Sequence, residues 1–172
     1  MPAVRAAVIL AAFLLLTFVL MPLQWLLGAL HLAGVRSLPH FYHRIVARLF
    51  GIRIAVSGAP VRGEGVLLLS NHTGWLDIII LSAVLPVSFV AKTEVGLWPF
   101  FGTLARLQRT VFVVRGDRSR VGRTSDEIGA RLAAGDALVL FPEGTSCDGN
   151  RVLPFKSALL GAVNTDAAAK LQ

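Results

Sequence analysis

The hydrophobic pattern divides the chain into an apolar N-terminal part and a longer part in which apolar runs alternate with amphipathic segments. Between Ala6 and Val35 no residue carries a full charge at pH 7, and most residues are Leu, Ala, Val or Phe. A membrane-spanning helix needs about 20 apolar residues, so this stretch is long enough for one. Pro22 interrupts it, and a proline inside a helix removes a hydrogen bond and kinks the chain.

Two membrane-binding arrangements fit this pattern: one kinked helix, or a hairpin of two shorter helices, Ala6–Met21 and Leu23–Leu32, that dips into one leaflet. A cleaved signal peptide and a hairpin buried in a protein core are the other interpretations. Arginines follow the apolar stretch closely, and such a basic flank is typical of the cytoplasmic side of a membrane. We therefore predict a membrane-anchoring segment, residues 1–35, followed by one domain, residues 36–172.

The pattern after residue 36 predicts an α/β domain. Predicted helices are Leu38–Phe50, Leu76–Val84 and a segment from Asp117 or Ser119 to Ala134. Predicted strands are Ile52–Ser57, Val66–Ser70, Val87–Ala91, Thr110–Val114 and Ala137–Phe141. Several of these strands are nearly continuous apolar runs, which are typical of strands buried on both faces. Strands that alternate with helices predict a mostly parallel sheet flanked by helices.

Composition narrows the class of partner. The chain has 172 residues, a net charge of +7, 55% hydrophobic residues and 16% charged residues, which excludes a disordered chain. The single cysteine, Cys147, excludes a disulfide framework and a cysteine-based structural zinc site. The basic residues are mostly arginine, which suits phosphate groups, and the apolar excess favours lipid over nucleic acid as the source of those groups.

A candidate general base follows the strand Val66–Ser70. Ligands of open α/β sheets bind at the carboxyl ends of the strands. His72 lies in the loop after this strand, and Asp77 lies in the first turn of the next helix. From there a carboxylate can hold one ring nitrogen, while the other nitrogen is free to take a proton. The two residues alone fit a capped helix start with a surface histidine better than a general base, because short motifs occur often by chance.

Three further strand ends carry polar side chains. Glu143, Gly144 and Thr145 follow the last predicted strand, and Lys92 follows Val87–Ala91. Arg115 follows Thr110–Val114 and belongs to a dense run of arginines. Each of these positions fits an ordinary solvated strand exit when it is taken alone.

Taken in order, these segments resemble four sequence blocks of the glycerolipid acyltransferases, the family of 1-acylglycerol-3-phosphate acyltransferase. Asn71–Asp77 resembles the family's His-x4-Asp block, and Lys92–Gly102 resembles its second block. Val111–Arg115 is similar to its arginine-bearing strand end, and Phe141–Thr145 to its Glu-Gly block. Four blocks in the right order are far more specific than any one of them.

The resemblance implies acyl transfer from acyl-CoA or acyl carrier protein to the free hydroxyl of a lysophospholipid. The implied acceptor is 1-acyl-sn-glycerol-3-phosphate, which becomes phosphatidic acid in phospholipid biosynthesis. The thioester is a co-substrate, so neither a cofactor nor a metal is implied. The expected site residues are His72 and Asp77 in catalysis, with Arg115, Lys92, Glu143, Gly144 and Thr145 at the acceptor.

The apolar N-terminal stretch and its basic flank predict association with membrane phospholipids and an active site on the cytoplasmic face, at the inner membrane in a bacterium. No nucleic-acid partner is expected.

Two departures from the family pattern bear on the acceptor and on activity. Ser146 stands where many members carry arginine, which makes another acceptor such as lyso-ornithine lipid the alternative. The polar segment Asn164–Gln172 predicts no further strand, so a truncated and catalytically silent membrane-binding fragment is a rival. A thioesterase that uses Cys147 with His72 is the other rival.

Overall fold

The computed structural model describes residues 2–59, 65–114, 118–156 and 170–171. It contains two compact units. The helical unit comprises Met1–Gly58 and Ile79–Pro86, and the sheet unit comprises Ala59–Ile78 and Val87–Gln172. These two units do not correspond to the predicted division of the chain at residue 35 into a membrane-anchoring segment and an acyltransferase domain. That division stays a prediction.

The helical unit is built on helices α1, Pro2–Ala29, and α2, Gly34–Leu49. Pro22 lies inside α1, so of the two membrane-binding arrangements left open by the sequence, the structure has a single helix and not the hairpin of Ala6–Met21 and Leu23–Leu32. A proline removes one hydrogen bond from a helix, and the bonds of the turns on either side continue it. The chain turns instead at residues 30–33, where His31 adopts a positive φ of 51°.

The apolar side chains of α1 lie mostly at the surface of the structure. The buried residues of this helix are the polar Thr17 and Gln24. Thr17 shares a hydrogen bond of 2.8 Å with the hydroxyl of Tyr42, and Gln24 donates to the carbonyl of Val35 at 2.9 Å. Within the described residues, α1 is the one helix long and apolar enough to span a bilayer. This distribution does not fit the interpretation of a hairpin buried in a protein core.

The core of the helical unit forms around Val46, Ala47 and Ile79. Ile52 and Ile54 pack against this cluster and lie outside any strand, so the predicted strand Ile52–Ser57 is wrong. Alternating apolar residues report only that one side of a segment is buried, and here helices cover that side.

Two histidines of α2 contact helix α3, Leu76–Val84, whose residues from 79 onward belong to the helical unit. His43 shares a hydrogen bond of 3.0 Å with the Ser82 hydroxyl, and His40 donates to the Ser82 carbonyl at 2.6 Å. Burial lowers the pKa of His43 to about 4, so its ring is neutral at pH 7.

The sheet unit contains a five-stranded parallel sheet in the order β3-β2-β4-β1-β5. The strands are β1, Val66–Leu69; β2, Val87–Lys92; β3, Val111–Val113; β4, Ala137–Leu140; and β5, Lys170–Leu171. The remaining helices are α4, Thr93–Gly96; α5, Phe101–Leu107; and α6, Arg118–Ala133. The predicted α/β class with a parallel sheet and an N-terminal apolar helix is confirmed. The sequence pattern did not predict α4 and α5.

Strand β5 corrects one expectation. Its residues pair in parallel with Val66 and Leu67 of β1, although the segment Asn164–Gln172 was expected to contain no strand. An edge strand is held by main-chain hydrogen bonds, which do not require apolar side chains. Hydrophobic patterning therefore gives little warning of such a short edge strand.

A buried carboxylate joins three strands at the amino edge of the sheet. Asp136, just before β4, accepts hydrogen bonds from both Arg109 and Arg131. Arg109 binds both carboxylate oxygens, at 3.1 and 2.8 Å, and Arg131 also donates to the hydroxyl of Ser88 in β2 at 3.2 Å. Burial alone raises the pKa of Asp136, but the hydrogen bonds and charges of Arg131 and Arg109 outweigh it and lower that pKa below its usual value of 3.8.

We expect Asp136→Asn to lower the free energy of unfolding by roughly 1–3 kcal/mol at pH 7, because two partly buried arginines lose their counter-charge. Since the folded-state pKa is depressed, the contribution of Asp136 is complete above the unfolded-state pKa of 3.8. It is lost as the pH falls through the lower folded-state value. Denaturant unfolding in detergent at pH 7, 4 and 3 measures the difference between variant and wild type. Asp126→Asn, at an exposed position of α6, is the control, and an equal loss in both variants would contradict this role.

Candidate active site

The parallel pairing of β1 with β4 brings two polar loops together at the carboxyl edge of the sheet. Leu69 is paired with Leu140 at the ends of the strands, and the N–H of Ser70 donates to the carbonyl of Leu140 at 3.1 Å. The loop after β1 contains His72, and the loop after β4 contains Glu143. The two loops therefore lie next to each other.

His72 and Asp77 form a direct pair. The Nδ1 atom of His72 lies 2.8 Å from Oδ2 of Asp77, which is in the first turn of α3. The same carboxylate accepts hydrogen bonds from the N–H of Thr73 at 2.6 Å, from its hydroxyl at 2.7 Å, and from the N–H of Gly74 at 3.1 Å. The loop thus closes on the carboxylate and holds it against the imidazole.

The hydrogen bond to Oδ2 of Asp77 fixes the tautomer of His72. Burial raises the pKa of Asp77, but the hydrogen bonds from Gly74, Thr73 and His72 outweigh it and keep that pKa below its usual value. An anionic carboxylate only accepts hydrogen bonds, so the Nδ1 atom of His72 must carry the proton that it donates. In the neutral ring Nε2 is then the unprotonated nitrogen. The ring is partly exposed, so its unprotonated nitrogen meets the structural requirement for accepting a proton.

The rest of His72 is held by the segment that follows β4. Its ring stacks on Phe141 with the centroids 4.1 Å apart. The main-chain N–H of His72 donates to Oε2 of Glu143 at 2.9 Å. Its carbonyl accepts a hydrogen bond from the N–H of Cys147 at 2.8 Å. Both main-chain polar groups of His72 and one face of its ring are therefore fixed.

The other predicted residues are placed as follows. Glu143 is 1% exposed, and its second oxygen accepts from the N–H of Leu153 at 2.7 Å. Gly144 has a φ of 71°, a conformation that favours glycine, and its N–H donates to the carbonyl of Phe141 at 3.0 Å. Thr145 is exposed, and Lys92 is the last residue of β2, at the same edge of the sheet. Arg115 lies outside the described residues.

Sequence reasoning missed four residues that contact the pair. They are Thr73, through its hydroxyl and N–H; Gly74, through its N–H; Phe141, through its ring; and Cys147, through its main-chain N–H. Thr73 and Phe141 stand inside the quoted blocks, so their position was a usable signal. The Cys147 thiol lies 3.3 Å from the carbonyl of Arg151, and it is the main-chain N–H of Cys147 that reaches His72. This arrangement does not favour a thiol nucleophile activated by His72.

Comparison with known proteins shows the family of the chain. A model of the acyltransferase family matches residues 53–167, which is more than half of the chain. The chain belongs to the acyltransferase family. The prediction of that family from the four blocks is thus confirmed.

Several relatives within the family carry names that describe lysolipid acylation. The chain is 54% identical over 161 residues to the lyso-ornithine lipid O-acyltransferase of Brucella abortus (strain 2308), covering 94% of this chain and 60% of that protein. It is 46% identical over 159 residues to the enzyme of the same name from Rhizobium meliloti (strain 1021), covering 92% and 54%. It is 39% identical over 113 residues to the 1-acyl-sn-glycerol-3-phosphate acyltransferase of Neisseria gonorrhoeae, covering 66% and 44%.

The fold has a counterpart among solved structures. The crystal structure of PlsC, the 1-acyl-sn-glycerophosphate acyltransferase of Thermotoga maritima, matches with a TM-score of 0.63 and 21% identity, over 94% of this chain and 70% of that chain. This likeness confirms the fold of this acyltransferase-family chain. The chain spans about 60% or less of the length of the named relatives quoted above.

The hydrogen bonds of Asp77 lead to an unusual expectation for Asp77→Asn. An amide oxygen in place of Oδ2 can accept the same three N–H groups, and the amide NH₂ can donate to the Thr73 hydroxyl, which also accepts. We therefore expect His72 to keep its proton on Nδ1 in Asp77→Asn and to lose this preference in Asp77→Ala.

Nitrogen-15 NMR of histidine-labelled protein at pH 8 reports the tautomer, with His72→Gln identifying the resonances. Thermal unfolding verifies that each variant is folded. An unchanged tautomer in a folded Asp77→Ala protein would contradict the role of Asp77.

Proposed function

We propose that this acyltransferase-family protein transfers an acyl group from a thioester, acyl-CoA or acyl-acyl carrier protein, to a free hydroxyl of a lysolipid. The observation that carries the proposal is the His72–Asp77 pair, in which an anionic carboxylate holds Nδ1 and leaves Nε2 as the base. The family membership and the names of the relatives support the same reaction.

In the proposed reaction, Nε2 of His72 takes the proton of the acceptor hydroxyl as the oxygen attacks the thioester carbonyl. The C–S bond then breaks, and the leaving thiolate takes the proton back from His72. Asp77 stabilises the imidazolium that exists between these two steps. No acyl-enzyme forms in this reaction, so Cys147 is not required as a nucleophile. The acyl group is already activated as a thioester, so the proposed reaction uses no cofactor.

We favour lyso-ornithine lipid as the acceptor, which reverses the order of the two acceptors expected from the sequence. Two relatives with that name are 54% and 46% identical to this chain. Ser146 supports the same choice of acceptor, because it stands at a position where an arginine would add a partner for a phosphate group. The second candidate is 1-acyl-sn-glycerol-3-phosphate, with phosphatidic acid as the product, and the Neisseria relative supports it.

We also propose that the acceptor contacts Arg115 and Lys92. Gly144 and Thr145 would shape the site in which the acceptor binds. Arginine and lysine would pair with an anionic group of the acceptor, a phosphate or a carboxylate. Lys92 and Thr145 lie at the same edge of the sheet as His72, which supports such contacts.

We also propose that the acceptor reaches His72 from the cytoplasmic side of a membrane. Helix α1 supports a membrane anchor, and the basic residues of α2 suit anionic headgroups. In the sheet unit, the large exposed apolar side chains of the described residues all lie in segments that follow the carboxyl ends of strands. This apolar rim consists of Trp75, Leu76, Leu97, Trp98, Phe101, Val152 and Phe155. Tryptophan is enriched at membrane interfaces, so the rim suits contact with lipid near the His72 edge.

A panel of acceptors tests the reaction. We expect the purified full chain, given acyl-CoA or acyl carrier protein thioester, to acylate lyso-ornithine lipid faster than 1-acyl-sn-glycerol-3-phosphate. His72→Ala should reduce turnover by about 10²–10⁴-fold, because that is the usual contribution of a general base. Lipid mass spectrometry identifies the product, and full activity of a folded His72→Ala protein would refute the mechanism.

Ser146→Arg tests the choice of acceptor. A hydrogen bond to a charged group contributes about 1.5–3 kcal/mol, so an added arginine should raise relative use of the phosphate acceptor by about tenfold. Ser146→Gln, of intermediate size and without charge, is the matched control. Equal ratios of turnover in both variants would remove position 146 from the acceptor site.

The apolar rim generates a separate expectation. We expect Leu97→Ser combined with Trp98→Ser to reduce turnover about tenfold when the acceptor is embedded in vesicles, because exposed apolar area no longer contacts lipid. Turnover of a short-chain acceptor dissolved as monomers should be unchanged. A loss of the same size with both acceptors would assign these side chains to the reaction centre instead of to lipid contact.

A further inference from the structure

Glu143 is buried behind the loop that carries His72, and both of its carboxylate oxygens are in use. Oε2 accepts from the N–H of His72 at 2.9 Å, and Oε1 accepts from the N–H of Leu153 at 2.7 Å. The residue is 1% exposed, among the most deeply buried side chains described. A carboxylate placed in this way is not accessible to an acceptor lipid, and its negative charge would repel a phosphate or a carboxylate.

The position of Glu143 decides where the main chain of His72 lies. The ring of His72 is oriented by Asp77 from α3, but the ring can only be where its own main chain allows. That main chain is held at its N–H by Glu143 and at its carbonyl by the N–H of Cys147. Glu143 also accepts a hydrogen bond from Leu153, which lies ten residues further along the segment that follows β4. One side chain therefore joins the loop after β1 to two points of that segment.

We propose that Glu143 is a positioning residue, which holds the main chain of His72 so that Nε2 faces the acceptor hydroxyl, and that it is not a substrate contact. This inference rests on the proposed acyl transfer, and it replaces the acceptor-site role expected for Glu143 from the family resemblance. Misplacement of a catalytic group by about 1 Å can cost about 100-fold in rate, so such a role is large enough to measure.

Glu143→Gln is the informative variant. Glutamine offers one acceptor oxygen, so its NH₂ must face one of the two N–H groups, and one of the two hydrogen bonds is lost. We expect kcat to fall about 10- to 100-fold while the KM for the lysolipid stays within about twofold. Glu143→Asp keeps the charge and both acceptors on a shorter side chain, and it should retain an intermediate kcat. Glu127→Gln, the same substitution at an exposed position of α6, should match the wild type.

Hydrogen exchange of the peptides that contain His72 and Leu153 gives a readout independent of activity. Of these two amides, we expect the one that faces the glutamine NH₂ to exchange faster in Glu143→Gln. Both should exchange slightly faster in Glu143→Asp and at the wild-type rate in Glu127→Gln. A rise in acceptor KM of tenfold or more with an unchanged kcat would overturn the inference, because it would mean that Glu143 contacts the acceptor. Unchanged exchange of both amides in folded Glu143→Gln would also overturn it. If the wild type acylated no lysolipid, the proposed function would fail, and the exchange of the His72 and Leu153 amides would still decide the role of Glu143.

Discussion

The parallel pairing of β1 with β4 is the constraint on which the site depends. The two strands are far apart in sequence, and their alignment in register places their carboxyl ends side by side. Every polar contact described around His72 then follows over short distances, because the loop after one strand lies against the loop after the other. A slip of this register by one residue would turn the side chains of each strand to the opposite face and separate His72 from Glu143.

Three carboxylates in the sheet unit show how the same chemical group takes different roles. Asp136 at the amino edge is neutralised by two arginines and joins strands. Asp77 at the carboxyl edge accepts from an imidazole and from the N–H groups of its own loop, so its charge acts on a titratable ring. Glu143 accepts only main-chain N–H groups in the contacts described here, and it acts on geometry. The arginine ion pairs therefore lie at the edge opposite the site, while the two carboxylates at the site hold His72.

In the helical unit, α1 exposes most of its apolar side chains and is held to α2 by specific hydrogen bonds. Thr17 and Gln24 are the buried residues of α1, and both make hydrogen bonds to α2. Polar side chains between helices are an effective form of attachment where the surroundings are apolar, since hydrophobic burial then distinguishes poorly between partners. The apolar surface of α1 remains available for lipid, in agreement with the proposed membrane anchor.

The sequence by itself determined the class of fold and the central pair of the site. Apolar runs identified four of the five strands, because burial on both faces leaves a local signature, and the spacing of His72 and Asp77 described a contact within one loop and one helical turn. The tertiary structure alone decided the continuation of α1 through Pro22, the irregular path of Ile52–Ser57 and the edge strand β5. It also decided the partners of Glu143, one of which is 71 residues away. A local pattern reports that a group is buried or polar, but the partner that compensates a buried charge comes from a distant part of the chain, and only folding brings the two together.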